Sequence, residues 1–156
     1  MTDTMNKLFF RIGFVVCVLF SMLSCGVSEM KNRLKDVESY IMERPDSALA
    51  VLDSMDRTLL TTDRLKAHHA LLHAMALDKN YIDVTDDSLA SVALDYYSRK
   101  GPEKYEARSR YYLGLSYFYA GDLSKAILEF TRAEEVSEMS DSLYLAMIKT
   151  IQGHVY

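Results

Sequence analysis

Apolar residues recur at spacings of three and four along nearly the whole chain from Ser28 onward, and no alternating stretch is long enough to predict a strand. The pattern predicts an all-α fold. Leu34, Val37 and Ile41 give the first helix one apolar stripe, and this helix should stop before Arg44, because the residue preceding Pro45 is pushed out of the helical region. Asp46 or Ser47 can cap a second helix, whose inward face is Ala48, Leu49, Leu52 and Met55. A polar break at 56–62 follows, and Thr62 or Asp63 caps a third helix with Leu65, Leu72, Met75 and Ala76 inward. The fourth begins near Asp86 or Asp87, carries Leu89, Val92, Ala93, Tyr96 and Tyr97, and ends at Gly101 and Pro102. Between the third and fourth, Tyr81, Ile82 and Val84 read as an extended connector.

The sharpest patterning is YYLGLSYFYAGDLSKAILEFTRA, residues 111–133. On its first helix Leu113 and Tyr117 lie one turn apart, with Gly114 beside them, where a missing side chain lets a facing helix come close. On its second helix Leu123, Ala126, Ile127 and Phe130 form one stripe. Gly121 can take the left-handed conformation that ends a helix, and Asp122 is a preferred cap for the next.

Leu113, Gly114, Tyr117, Ala126, Phe130 and Ala133 fill the slots of the tetratricopeptide signature, so the segment resembles one such repeat. Two slots depart from it: Arg110 stands at the usual Trp position and Glu138 where a closing Pro is expected. The pair formed by the first and second helices, with Ala48 and Leu52 four apart as Ala126 and Phe130 are, resembles a degenerate copy. Gly153 and Tyr156 repeat the spacing of Gly114 and Tyr117 at a displacement of 39 (153 − 114), longer than the common period of about 34. The resemblance implies a right-handed α-α superhelix over residues 25–156: about three hairpins plus the first helix of a fourth. In that fourth position Leu145, Ile148 and Ile151 would lack a covering partner, which implies a longer protein.

The opening residues change the picture of the compartment. Lys7 and Arg11 precede a 12-residue run, Ile12 to Leu23, that is apolar apart from Gly13 and Ser21, the layout of a secretory signal. Leu23, Ser24 and Cys25 followed by Gly26 resemble a bacterial lipoprotein box. That resemblance implies a signal peptide over residues 1–24 and a lipid on Cys25, which would leave the mature chain no disulfide. A plain signal peptide and a retained signal anchor are the alternatives, although about 20 apolar residues are needed to span a bilayer.

Composition is that of an ordinary globular protein, 26% charged and 49% hydrophobic, with net charge −4. Removing residues 1–24 takes away Asp3, Lys7 and Arg11, leaving 16 basic and 21 acidic residues and a net of −5. An acidic body without a Lys/Arg run excludes a nucleic-acid surface.

Through ERPDSALAVLDSMD, ALDKNYID and YYLGLSYFYAGD, residues 25–156 resemble the tetratricopeptide-repeat lipoproteins and membrane-bound regulators of Bacteroidetes-type bacteria. The resemblance implies a periplasm-facing, membrane-anchored protein of the cell envelope that binds a protein or peptide. The groove positions it implies are Arg108, Tyr111, Tyr112, Leu115, Phe118 and Tyr119. Aligning Leu71 and Leu72 with Leu113 and Gly114 adds Lys66, His69, His73 and Leu77. Tyr and Arg suit such a surface because they offer large contact area with a polar handle. Interhelix filling is the other role open to these aromatics.

His69 and His73 stand four apart on one helix face, a spacing able to bind a divalent metal, but the Glu that a zinc-protease helix needs after its first His is replaced by Ala70. No metal or cofactor is expected. No nucleophile elbow, phosphate loop or second mature thiol is found, so the chain reads as no enzyme. An alternative is a glycan- or nutrient-binding outer-membrane lipoprotein, which Tyr stacking would suit and the absence of Trp disfavours. The sequence does not fix the oligomeric state.

Overall fold

The structure, a computed structural model, describes residues 26–137 and 142–155. The expected signal segment, Cys25, Glu138 and Tyr156 lie outside the described residues. Within them the chain is all-helical and forms no strand.

Helix α1 covers residues 26–40, followed by α2 (Pro45–Ser54) and a 3-10 turn (Arg57–Leu59). Then come α3 (Asp63–Lys79), α4 (Ser88–Tyr97), α5 (Glu103–Tyr119), α6 (Leu123–Val136) and α7 (Ser142–Val155). The helix ends follow local chemistry. The Thr62 hydroxyl accepts from the Leu65 amide at 3.2 Å, and Asp122 accepts from the Lys125 amide at 3.1 Å, each satisfying a free N–H of a first turn. Pro45 stands at the start of α2, where its missing N–H costs nothing. Gly121, at φ +81°, turns the chain out of α5 and directly into α6.

The main contacts join each helix to its neighbours in sequence, and further contacts join α3 to α5 and α5 to α7. Odd-numbered helices therefore lie beside one another. Helices α3 and α5 are both 17 residues long, and α3, α5 and α7 begin 40 and 39 residues apart (103 − 63 and 142 − 103).

One continuous apolar core runs from Met30, Leu34, Val37 and Ile41 of α1 through to Ile148 of α7. Three expectations change. Val92 and Leu123 are 48% and 45% exposed rather than inward. Leu60, assigned to a polar break, is buried, because the short 3-10 turn capped by Asp56 folds it back onto the core. Ile148 is also buried, covered by the helices that precede it, while Leu143 carries the exposure on α7.

Arg110 forms an ionic joint between two helices. Its guanidinium bridges Glu106 on its own helix at 2.8 Å and Glu129 on α6 at 2.9 Å, and Arg132 holds the other Glu129 oxygen at 2.7 Å. Glu129 is only 6% exposed, so this nearly buried bridge ties α5 to α6.

Candidate interaction face of the odd-numbered helices

A seam of polar and aromatic side chains crosses all four odd-numbered helices. Glu38 of α1 receives three partners: His68 of α3 at 3.3 Å, the Tyr105 hydroxyl of α5 at 3.1 Å and Arg108 of α5 at 3.4 Å. The Arg108 guanidinium lies 4.7 Å from the ring centre of Tyr144 on α7. Contacts also reach past the adjacent odd-numbered helix: α1 reaches α5 from Glu38 to Tyr105 and Arg108, and Tyr144 of α7 donates to Met75 Sδ of α3 at 3.4 Å.

That close approach decides which expected groove residues are open. Tyr111, Tyr112 and Leu115 are buried. The Tyr144 ring packs edge-on against both Tyr111 and Tyr112, and the Tyr112 and Tyr144 hydroxyls stand 3.0 Å apart. These aromatics therefore fill the space between α3, α5 and α7. Phe118 and Tyr119 are half-buried, and Arg108 keeps 18% of its side chain exposed.

Lys66, His69 and His73 do not join this group. Lys66 lines a shallow cleft with Ser91 and Asp95 of α4 and Arg99 just after it. His69 donates from Nε2 to the Leu52 carbonyl at 3.1 Å, and His73 Nε2 meets Asp53 Oδ1 at 3.0 Å, so both imidazoles face α2. The physical reason is register. Matching the starts of α3 and α5 pairs His68 with Arg108, whereas aligning Leu71 with Leu113 is two residues off. Two residues rotate a helix by about 200°, which carries every assigned side chain to the opposite face. His68, two places from the residue the other alignment would choose, is the one in the seam.

The electrostatics follow from burial and pairing. Desolvation pushes both His69 and His73 below their ordinary 6.5, against the raising effect of Leu52 and Asp53. His73 Nδ1 is buried with no hydrogen-bond partner, so its protonation would leave an unpaired donor in the core. With the Nε2 atoms of both rings engaged, no group of three or more His, Cys, Asp or Glu able to hold a metal forms among the described residues. Burial raises the Glu38 carboxyl, but the hydrogen bond and charge of His68, with help from Tyr105 and Lys104, outweigh it and leave the pKa lowered.

His68 Nδ1 lies 3.0 Å from the Tyr97 hydroxyl, which completes a Tyr97–His68–Glu38 relay. Burial raises Tyr97 above its ordinary range, and burial with the Glu38 charge pushes Tyr105 up to about 12. Both hydroxyls keep their protons at neutral pH. The relay thus holds neutral donors in place and supplies no activated nucleophile.

Beside the seam is an open pocket of about 890 Å³, bounded by α1, α3 and the turn from α4 into α5. Sequence reasoning assigned none of its cations a role. Its floor carries Tyr97 and Tyr105, with ring centres 5.0 Å apart. Gly101, at φ +118°, lies so close to the Tyr97 ring that a Cβ would come within 2.9 Å of Cδ1, so the turn fits tightly against that wall. A second cavity, about 20 Å³ between Asp78, Ala90, Tyr112 and Ser116, has room for about one water.

No helix among the described residues is long and apolar enough to cross a membrane. Comparison with family models, with curated proteins and with solved structures yields no match.

Proposed function

We propose that this chain is a non-enzymatic interaction scaffold: a tetratricopeptide-like, right-handed array of helical hairpins, lipid-anchored through Cys25 at the cell envelope, that binds a protein or peptide on its odd-helix side. The observation that carries this reading is the side-by-side placement of α3, α5 and α7 at repeats of 40 and 39 residues, with Gly114 beneath Phe130 inside one hairpin. Units that contact mainly their neighbours, at a fixed spacing, build extended surfaces suited to gripping another chain. The accessible part of that surface is Arg108, Phe118 and Tyr119 together with the adjoining pocket.

The test is cross-linking and affinity capture of the full-length protein from its native envelope, comparing wild type with Arg108→Ala/Tyr119→Ala. The reading predicts one reproducible protein partner whose recovery falls at least about tenfold in the variant, with helix content unchanged. Recovery of a bound glycan in place of a protein, or equal recovery by the variant, contradicts it.

A further inference from the structure

We propose that the pocket between α1, α3 and the α4–α5 turn binds an acidic peptide segment carrying an aromatic or apolar side chain. This deepens the scaffold reading above and rests on it. Lys31, Lys35, Arg64 and Lys104 all line the pocket and are exposed. None of the four is in an ion pair among the described residues, whereas Lys79, Lys125 and Arg132 elsewhere are each paired with a carboxylate. The one carboxylate in the pocket wall, Glu38, is already held by His68, Tyr105 and Arg108. A protein of net charge −4 thus gathers four cations, none in an ion pair, around one carboxylate at a single concavity. Such a concavity focuses the field on an incoming anion.

Charge alone would suit any anionic surface, so the shape decides the class of partner. The half-buried Tyr105 ring lies among exposed cations, and the open pocket of about 890 Å³ has room for a peptide side chain. A carboxylate-bearing segment can place its acidic groups against the rim and an apolar side chain against the half-buried Tyr105, which the buried Tyr97 backs. Lys104 already lies 4.7 Å from the Tyr105 ring centre, so cation and aromatic surface are presented together. None of the four cations is among the groove positions that the repeat resemblance implies.

The experiment is a fluorescence-anisotropy titration of the full chain in neutral detergent. The probes are a short labelled peptide alternating Glu with Tyr, its Lys-for-Glu counterpart, and phosphatidylglycerol vesicles with no peptide. The proposal predicts saturable binding of the Glu peptide alone, weakened by salt and reduced at least about tenfold by Lys31→Glu/Arg64→Glu. Both residues are exposed, so the variant should keep its circular dichroism and melting temperature. If it does not, Lys35→Gln/Lys104→Gln is titrated instead. Equal binding by wild type and variants overturns the proposal, as does binding of the vesicles but not of the peptide. No peptide binding, with an envelope partner still captured, removes only this pocket; loss of both removes the scaffold reading as well.

Discussion

Gly114 on α5 lies directly beneath the ring of Phe130 on α6: a Cβ at Gly114 would fall 2.6 Å from Phe130 Cε1. Phe130 is fully buried, so its ring cannot swing into solvent to make room. Gly114→Ala gains helix propensity of about 1 kcal/mol but overpacks the joint by about 1–3 kcal/mol. The expected outcome in denaturant melts is a net loss of about 1 kcal/mol, recovered when Phe130→Leu is added. Gly153 provides the contrast, since nothing lies within 4 Å of its Cβ position and Gly153→Ala should be neutral or stabilising.

Glu129 is a nearly buried carboxylate at the joint between α5 and α6. Glu129→Gln leaves Arg110 without its charge partner across the joint, and removal of one member of such a pair is strongly destabilising. A loss of about 1–3 kcal/mol is expected by urea melting, discounted from a fully buried pair because Arg132 is half exposed. Replacing Arg110 and Glu129 together by Leu should return most of it.

The α2–α3 contact carries a pH dependence with a definite sign. His69 and His73 have folded pKa values depressed below 6.5, so the unfolded chain takes up protons first as pH falls. Their stabilisation is complete above about 6.5 and is lost as pH drops through the lowered folded values. Melting temperature should therefore fall between pH 7 and pH 5, and His73→Gln should flatten part of that slope. The Glu38 carboxylate acts in a lower window, its contribution vanishing only below its ordinary 4.5 as it is finally protonated.

Tyr144 links α7 to both α5 and α3 through its ring and hydroxyl. Tyr144→Phe removes bonds to Tyr112 and Met75 while keeping the packing, and should cost about 1 kcal/mol. Tyr144→Ala should cost about 3–5 kcal/mol and loosen α7, seen as faster hydrogen exchange in that helix than in α3.

The helices, two of their caps and most of the core were legible because each depends on nearby residues, whereas the cap expected at Asp46 or Ser47 falls at Arg44, since α2 already begins at Pro45. Thr62 and Asp122 announce the caps, and Leu34, Val37, Ile41, Ala126 and Phe130 announce the buried stripes. The candidate face was only half legible. Gly114 pointed to a close helix pair, but the openness of Tyr111 and Tyr112 depended on how tightly α7 approaches α5 and α3, which no local pattern encodes. The register of α3 against α5 lacked a Gly to anchor it, so the pattern did not show that Lys66 turns toward α4, that His69 and His73 turn toward α2, or that His68 joins the seam. The cationic pocket draws Lys31, Lys35, Arg64 and Lys104 from three helices, and no sequence run marks it.

The most direct test is a side-chain nuclear Overhauser experiment on protein carrying labelled Met methyls and Tyr rings. Helices set side by side predict cross-peaks from the Met75 methyl to the ring of Tyr144, and from Tyr112 to Tyr144, joining α3, α5 and α7. Cross-peaks instead from the Met55 methyl, at the end of α2, to the ring of Tyr144 on α7, with none from Met75, would place the helices around one closed centre and contradict the account.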